Sequence, residues 1–492
     1  MRDIQAQNEN PRGALVDSSL RSELTIGNFI NGRFVPPEND DYFDDVNPAT
    51  EEVIARIPDS DRRDVDAAVA AARAAFPAWS RTTAAERSRL LLRLADLIER
   101  DLDPLACMES EDNGKPLSLA RTLDIPRAVA NFRFFATAIL HHASEAHVTD
   151  SSALNYTLRQ PLGVAGLISP WNLPLYLLSW KFAPAIASGN TCVAKPSELT
   201  PLTANRLAEL SLEAGLPAGV MNIVHGYGPK AGAALVEHRD VPMISFTGGT
   251  VTGARVAAAA APMFKKLSLE LGGKNPTVVF ADADFEQAVS TSLRSAFWNQ
   301  GEICLCGSRI FVEESIYDDF VERFAAKAKA LRIGEDIGAL VSEPHMKKVL
   351  GYIDLAKEEG GSIVAGGKRI DREGYFVEPT VITGLGCDRR VLQEEIFGPV
   401  VTITPFRDEA EAVGFANSTR YGLSASIWTR DLQRAHRVAA AIDSGTVWIN
   451  CWLLRDLRVP FGGAKDSGVG REGGFESLNF FTEAKNVCVK LG

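Results

Sequence analysis

The spacing of apolar residues predicts helices in the first part of the chain. From about Arg62, apolar side chains recur at three- and four-residue steps, the period of a helix that buries one face (Val65, Ala68, Val69, Ala72, Phe76). A second helix is predicted from about Ala84 to Arg100, because its leucines fall on one side. Residues 1–22 are polar and are expected to be frayed.

After Leu162 the pattern changes, and short apolar runs alternate with helical stretches. The runs at 164–168, 191–194, 220–224 and 243–246 predict strands, and the stretches at 173–187, 202–214, 229–238 and 250–260 predict helices. A second series follows Lys274, with strands at 277–280 and 308–312 and helices at 284–296 and 315–331. This alternation is typical of parallel sheets, so we predict an α/β protein whose two lobes join near residues 270–275.

Two further segments alternate polar and apolar residues and predict extended ribbons. They are residues 141–159 and the stretch 485–490 near the C-terminus. Because isolated ribbons are marginal in water, we expect them to pair with another chain.

Composition and charge exclude several classes of protein. The chain has 492 residues, a formal net charge of −11 and no basic cluster interleaved with aromatics, which argues against nucleic-acid binding. Its first residues lack an apolar core and carry acidic groups, so no secretory signal is expected, and no run of 18 apolar residues predicts a membrane span. The seven cysteines form no C-x-x-C pair and no H-E-x-x-H occurs, so we expect no metal site and a cytoplasmic location.

A glycine-containing segment near residue 300 carries a candidate nucleophile. Cys304 lies in FWNQGEICLCGSR, residues 297–309, in a loop between a predicted helix and a predicted strand. Functional side chains are commonly placed at such element ends, and a thiolate there can attack a carbonyl carbon to form a thioester. An inert core cysteine is the alternative, and Cys306 is expected to be structural.

Glu270 and Asn172 are candidates for a general base and an oxyanion donor. Glu270 lies in the apolar run 265–271, and an apolar neighbourhood raises the pKa of a carboxylate toward neutrality. A solvated carboxylate at a sheet edge is the alternative. Asn172 lies in SPWNLP, where two prolines restrict the backbone and can hold its amide toward an oxyanion. Asparagine between prolines is also ordinary turn chemistry.

Charged and glycine-rich segments follow strands of the first lobe. Lys195 and Glu198, in KPSE, follow the strand at 191–194, and parallel sheets bind ligands at the carboxyl ends of their strands. Both side chains could contact a ribose, and the carboxylate would repel a 2′-phosphate, which favours NAD over NADP. A surface ion pair is the alternative. The segment FTGGTVTG, residues 246–253, offers backbone N–H groups at a helix start to a pyrophosphate.

In their order and spacing these motifs resemble the aldehyde dehydrogenase superfamily, from about Phe29 to Val489. The segments that carry the resemblance are SPWNLP, KPSE, FTG, LELGGK, NQGEIC, EEIFGPV and PFGGAKDSGVGREGG. The resemblance implies the α/β aldehyde dehydrogenase fold, with a Rossmann-like NAD-binding domain (1–140 and 160–270) and an α/β catalytic domain (271–470). It also implies a small β oligomerisation ribbon (141–159 and 475–492) that builds a homodimer or homotetramer.

The resemblance further implies a role for each candidate. Cys304 would form a thiohemiacetal whose oxyanion Asn172 holds, hydride would pass to NAD, and Glu270 would activate the water that hydrolyses the thioester. Glu395 would contact the nicotinamide ribose and Phe397 the nicotinamide ring. The residues implied to bind NAD are Ser169, Trp171, Lys195, Glu198, Gly228, Phe246, Thr247, Gly248, Gly249, Leu271, Glu395 and Phe397. Gly249 departs from the family, which often has serine there.

Four segments resemble, more narrowly, the 2-aminomuconate- and 2-hydroxymuconate-semialdehyde dehydrogenases. They are LARTLDIPRAVANFRFF, GVAGLISPWNLPLYLLSWK, GEICLC and NCWLLRDLRVPFGG. Such substrates carry a carboxylate remote from the aldehyde, and arginine binds a planar carboxylate through two parallel hydrogen bonds. The resemblance implies Arg121 and Arg455 as substrate-binding residues beside Asn172, with Arg458 a secondary candidate. A solvated or locally paired side chain is the alternative for each arginine.

Other functions stay open at this point. The chain could oxidise another aliphatic, aromatic or retinal-like aldehyde, or act as a cofactor-independent cysteine esterase through Cys304 and Glu270. A panel of aldehyde substrates tests the first alternative, and ester turnover without NAD tests the second. A catalytically silent homologue is disfavoured because such a chain has no chemical need for Cys304, Glu270, Asn172, Lys195 and Glu395 together.

Overall fold

The structure is a computed structural model that describes residues 24–492. The expectation for residues 1–22 and the start of the predicted 1–140 segment therefore lie outside the described residues.

The first lobe is built on a sheet of eight strands within the described part of the chain. Its five central strands run parallel, and antiparallel strands complete both edges. In spatial order the strands are Arg33–Val35, Asn28–Ile30, Met221–Ile223, Thr191–Lys195, Val164–Ile168, Met243–Thr247, Lys266–Glu270 and Gly468–Val469. The four strands predicted for this lobe are confirmed, and nearly all of their residues are buried, as in the centre of a parallel sheet.

Helices cover this sheet, and short polar side chains begin the first two of them. Asp61 caps the helix Arg62–Trp79, and Thr83 and Glu86 form a capping box at the start of Ala84–Arg100. The other helices of this part of the chain are Leu102–Asn113, Leu117–Leu119, Ile125–Ala138, Pro174–Ala187, Leu202–Ala214, Ala233–Glu237 and Thr250–Ala260.

Two π-helical turns, Ala120–Asp124 and Gly228–Gly232, depart from the predicted pattern. The stretch predicted as one helix at 229–238 is a π-helical turn followed by the short helix Ala233–Glu237. Glycines and a proline in GPKAG weaken a regular α-helix there.

The second lobe is built on a sheet of seven strands, counted over residues 24–492. Six run parallel and the first is antiparallel. In spatial order they are Ser362–Ala365, Thr380–Thr383, Val400–Phe406, Arg309–Glu313, Pro276–Val279, Ser424–Trp428 and Thr446–Ile449. The helices are Phe285–Phe297, Tyr317–Lys329, Glu343–Glu358, Arg390–Gln393, Glu409–Asn417 and Leu432–Ala441. Two mainly parallel sheets flanked by helices confirm the predicted α/β class.

A separate antiparallel sheet joins the two predicted ribbon segments. Its strands are Thr482–Lys490, Ala153–Pro161 and Ala146–Thr149, in that order. The segment 475–492 is not all ribbon, because its first residues belong to the helix Gly474–Phe480. Tyr42–Val46 with Val53–Pro58, and Tyr421–Gly422 with Ala464–Lys465, form small strand pairs.

The domain boundaries stay a prediction. One strand crosses them, because Gly468–Val469 pairs with Lys266–Glu270 of the first sheet although 271–470 was assigned to the catalytic domain. In the part of the chain that the structure covers, no helix is long and apolar enough to cross a membrane.

Candidate active site

Cys304 lies in a loop between the helix Phe285–Phe297 and the strand Arg309–Glu313. The amide of Asn275 holds this loop, since its Nδ2 donates to the carbonyls of Cys304 and Cys306 at 2.7 and 2.9 Å. Burial, with the carboxylates of nearby glutamates, raises the pKa of the Cys304 thiol to about 12. The loop therefore presents a thiol that is protonated at neutral pH until a base or a cation changes its surroundings.

The backbone before Cys304 is strained. Asn299, Gln300 and Gly301 have φ angles of +51°, +55° and +73°, a left-handed run that only the glycine adopts at no steric cost. Buried hydrogen bonds stabilise it: Asn299 Nδ2 donates to the carbonyl of Asn172 at 3.1 Å. Such strain is typical of functional sites.

Two cavities meet at Cys304. A small one of about 30 Å³ is lined by Glu270, Tyr176 and Arg455, among others, and a larger one of about 250 Å³ by Glu395 and other residues. The larger cavity continues into a cleft of about 650 Å³, because both are lined by the same five residues (Pro170, Trp171, Thr247, Gly248, Gly249). Cys304 therefore lies where the two cavities meet, with Glu270 on the small one and Glu395 on the larger one.

Glu270 ends the strand Lys266–Glu270 and shares the small cavity with Cys304. Both its carboxylate oxygens are buried, and neither has a hydrogen-bond partner among the described residues. Burial and the charge of Glu472 raise its pKa well above the ordinary value, against the opposing charges of Lys181 and Arg455. Such a carboxylate can take a proton near neutral pH, which a general base acting on water requires.

Glu472 and Lys181 form a buried group behind Glu270 that sequence reasoning missed. Glu472 Oε1 accepts hydrogen bonds from Ser245 Oγ at 2.9 Å and Ser268 Oγ at 3.1 Å, and from Lys181 Nζ at 3.3 Å. Only the motif around Glu472, GREGG, pointed to this region. The pairing with Lys181 is invisible in the sequence because 291 residues separate the two.

Replacing Glu472 by glutamine is expected to move the acid limb of the pH–kcat profile to lower pH. The carboxylate of Glu472 raises the pKa of Glu270, so its loss lets Glu270 ionise at lower pH, and the charge of Lys181 then favours the ionised form further. The profile is measured by NADH absorbance, with the exposed Glu476→Gln variant as the control. An acid limb that stays in place, or moves to higher pH, would contradict this coupling.

Asn172 points its side chain at the loop of Cys304. Its Nδ2 donates to the carbonyl of Glu302 at 2.8 Å, and its own carbonyl accepts from Lys115 Nζ at 3.0 Å. Lys115 in turn forms a fully buried ion pair with Asp124. Because an amide nitrogen carries two hydrogens, one of them is left for a substrate oxyanion.

The residues predicted to bind the cofactor line the cleft and the larger cavity. Nine line the cleft: Ser169, Trp171, Lys195, Glu198, Gly228, Phe246, Thr247, Gly248 and Gly249. Leu271, Glu395 and Phe397 line the cavity next to Cys304. Lys195 and Glu198 pair at 2.6 Å, and Glu395 accepts a hydrogen bond from the backbone N–H of Gly273 at 2.9 Å.

The shape and charge of the cleft fit a dinucleotide. The helix Thr250–Ala260 begins at Gly249, whose missing side chain leaves the helix N-terminus uncapped toward an anion. A Cβ added at Gly228 or Gly249 would meet no atom of the described chain within 4 Å, so the walls leave room there. Carboxylates at both ends, Glu198 and Glu395, can accept from ribose hydroxyls on either side of a central pyrophosphate.

The structure does not bring Arg121 into the site. Its side chain is 47% exposed, and its Nε pairs with Asp103 Oδ1 at 2.8 Å. The π-helical turn Ala120–Asp124 is the reason, because it adds a residue to the turn: Leu123 lines the small cavity, while Arg121 faces solvent. Arg121 lines neither cavity nor the cleft in this structure, and its predicted role in substrate binding stays a prediction. Arg458 is also outside, 80% exposed.

Arg455 lines the small cavity, and Arg127 shares the side chains of Tyr176 and Trp180 with it. Arg455 Nη1 donates to the hydroxyl of Tyr176 at 3.1 Å, and its guanidinium stacks on Phe461 and Trp180 at 3.9 and 5.5 Å from the ring centroids. Arg127 packs over Tyr176 and Trp180 at 5.4 and 6.0 Å. Sequence reasoning missed Arg127, although it stands in the segment DIPRAVANF that carried the narrower resemblance.

Two guanidinium groups on one tryptophan repel each other unless an anion joins them. Burial, with the charge of Arg455, lowers the pKa of Arg127. In the part of the chain that the structure describes, the buried Nε and Nη2 of Arg127 have no hydrogen-bond partner. Buried unpaired donors are costly, and the charge of Asp456 offsets this only in part, so Arg127 keeps free donors that an anionic group could accept from. No cluster of three or more His, Cys, Asp or Glu side chains within residues 24–492 could hold a metal ion.

Comparison with known proteins agrees with this arrangement. A model described as the Aldehyde dehydrogenase family matches residues 34–487. A 2-aminomuconic semialdehyde dehydrogenase from Danio rerio is 53% identical over 482 residues, covering 95% of this chain and 98% of the relative. A 2-hydroxymuconic semialdehyde dehydrogenase from Pseudomonas sp. strain CF600 is 50% identical over 483 residues, covering 95% and 99%.

A solved structure is similar over nearly the same length. The NAD+ complex of an aldehyde dehydrogenase from Bacillus cereus has a TM-score of 0.94 at 42% identity, covering 96% of this chain and 98% of that one. The predicted fold and the predicted family are confirmed, and the chain belongs to the aldehyde dehydrogenase family.

Proposed function

We propose that this protein oxidises an aldehyde that carries a remote carboxylate to the corresponding acid, with NAD as cofactor. The observation that carries the proposal is the position of Cys304, where the small cavity that Glu270 lines meets the larger cavity that continues into a cleft with room for a dinucleotide. The identity of the relatives supports the substrate class, since those named above are semialdehyde dehydrogenases.

The residues around Cys304 support a two-stage reaction. The Cys304 sulfur, once deprotonated, attacks the carbonyl carbon, and the second N–H of Asn172 stabilises the oxyanion of the thiohemiacetal. NAD, when bound in the cleft, supplies the acceptor for the aldehyde hydride. Glu270 then takes a proton from the water that attacks the resulting thioester, which releases the acid and restores the thiol. Both carboxylate oxygens of Glu270 are free to accept this proton, because neither has a hydrogen-bond partner among the described residues.

The paired arginines support a substrate with a distal carboxylate. Arg455 lines the small cavity, and Arg127 packs against Tyr176 and Trp180, which line it too. A carboxylate between them accepts the free donors and neutralises the repulsion. A neutral aldehyde leaves the donors of Arg127 unpaired and the repulsion between the two arginines in place.

Substituting Arg127 or Arg455 by methionine is expected to weaken turnover of a carboxylated semialdehyde selectively. Loss of a charge-assisted hydrogen bond costs about 1.5–3 kcal/mol, which is roughly ten- to hundredfold in kcat/KM. A neutral aldehyde of the same length should change much less. Initial rates of NADH formation with the two aldehydes provide the measurement.

Arg121→Met is the matched control, because Arg121 faces solvent and pairs with Asp103. Its kcat/KM should stay within about twofold of the parent for both substrates. Equal losses on both aldehydes in Arg127→Met and Arg455→Met would remove the carboxylate role. Selective loss in Arg121→Met would restore the placement inferred from the sequence.

A cofactor-independent cysteine esterase is the second candidate function. Such an esterase would need Cys304 and Glu270. It would not need the cleft of about 650 Å³, in which Gly228 and Gly249 leave room beside a helix N-terminus. Formation of NADH from an aldehyde separates the two: none with any aldehyde, beside full ester hydrolysis without NAD, would favour the esterase.

The three-stranded ribbon supports a homodimer or homotetramer. It exposes apolar side chains, namely Val148, Leu158 and Val489, which would be covered by pairing with a second copy. The cytoplasmic location expected from the scattered cysteines stays a prediction.

A further inference from the structure

His345 is a largely buried side chain, 12% exposed, in the wall of the larger cavity, and the proposed reaction gives it no role. It is the third residue of the helix Glu343–Glu358, which Ser342 caps. Its ring packs edge-on against the rings of Trp171 and Phe397, with centroids at 5.2 and 6.3 Å. Those two rings in turn pack against each other at 5.3 Å. The three rings form one wall of the cavity that leads to Cys304.

A single hydrogen bond ties this ring to the backbone of Phe397. His345 Nε2 lies 2.7 Å from the Phe397 carbonyl oxygen. Because a carbonyl oxygen can only accept, Nε2 must carry the proton, which fixes the tautomer of the neutral ring. Burial and the charge of Lys348 lower the pKa of His345 to about 4, so the ring is neutral at physiological pH. It therefore acts as a fixed donor rather than as an acid or base.

Phe397 needs such a tie because its backbone is strained. Its φ is +62°, in the left-handed region that side-chain-bearing residues rarely adopt. The following residues are Gly398 and Pro399, and the proline has no N–H with which to hold the turn. Glu302 Oε1, at 3.5 Å from His345 Nε2, is the other polar atom near this donor. The shorter contact to the Phe397 carbonyl is the better hydrogen bond.

We propose that His345 is a positioning residue for hydride transfer: by donating to the Phe397 carbonyl it holds the Phe397 ring in the cavity wall beside Cys304. This inference rests on the proposed function and on the nicotinamide contact that the family resemblance implies for Phe397. Ester hydrolysis by Cys304 and Glu270 needs no hydride acceptor, so it should not depend on His345. The two activities of the same thiol thus separate a positioning role from a general loss of structure.

The test compares His345→Leu, which removes the donor, with His345→Gln, whose uncharged amide keeps one. For His345→Leu we expect NADH formation at saturating NAD and aldehyde to fall about 10- to 100-fold, the effect of misplaced reacting groups. Hydrolysis of an activated ester by the enzyme without NAD should stay within about twofold. An aldehyde deuterated at the carbonyl carbon should show a larger isotope effect on kcat, because hydride transfer becomes slower relative to the other steps. His345→Gln should recover most of the lost rate.

Three outcomes would overturn the role of His345. The first is an unchanged rate of NADH formation in His345→Leu. The second is a loss of ester hydrolysis in His345→Leu as large as its loss of NADH formation. The third is a rate of NADH formation in His345→Gln that is no higher than in His345→Leu. The parent enzyme tests the proposed function separately: if it forms no NADH from any aldehyde, that function fails, whatever the variants do.

Discussion

Replacing Cys304 by serine is expected to reduce aldehyde oxidation by more than about a thousandfold, as loss of a nucleophile does. Even the thiol is hard to ionise in this pocket, where burial and two carboxylates raise its pKa to about 12. A hydroxyl is a far weaker acid, so its anion would be scarcer still. NADH formation with a carboxylated semialdehyde measures the effect, and ester hydrolysis without NAD should fall in parallel.

Cys306→Ser is the matched control, two residues along the same loop. Cys306 is buried and lines neither of the two cavities that meet at Cys304. Activity within a few-fold of the parent is expected. If Cys306→Ser were inactive while Cys304→Ser kept the parent's rate, the roles of the two cysteines would have to be exchanged.

Replacing Glu270 by glutamine is expected to leave one round of oxidation and to stop the next. Glutamine keeps the shape of the side chain but cannot take a proton from water, so the thioester on Cys304 should accumulate. Steady-state kcat should fall by about a hundred- to ten-thousandfold. Stopped-flow absorbance should still show a burst of NADH equal to the number of active sites, and intact mass spectrometry should find the acyl group.

Hydroxylamine provides the control for this variant, because it cleaves a thioester without a general base and should restore turnover. A variant that loses the burst together with the steady state would contradict the assignment. In that case Glu270 would act on the Cys304 thiol before hydride transfer, which is open to it because the two side chains share one cavity.

The catalytic candidates could be predicted because each lies in a short segment. Cys304, Glu270 and Asn172 are recognised from their immediate neighbours along the chain, and the structure brings all three to one site. The roles themselves stay proposals until they are tested. The parallel strands were equally accessible, since a buried strand is a continuous apolar run, as in Val164–Ile168.

Arg121 shows where the sequence is insufficient. Its distance from Asn172 along the chain is compatible with the site, but the direction of its side chain depends on the local turn. The π-helical turn at Ala120–Asp124 rotates the helix and leaves Arg121 in solvent, while Arg127 reaches Tyr176 and Trp180. The spacing of apolar residues along the chain does not predict that a helical turn contains one extra residue.

By itself the sequence determined the family and the α/β class and pointed to Cys304 as the candidate nucleophile, because these depend on residue types in short, ordered segments. Only the tertiary structure decided which distant groups share a buried space: Glu472 and Lys181 behind Glu270, Arg127 beside Arg455, and His345 on Phe397. The physical reason is that the energies of buried charges and hydrogen bonds depend on distances in space and on the exclusion of water. The number of residues between two groups along the chain fixes neither their distance in space nor their exclusion from water.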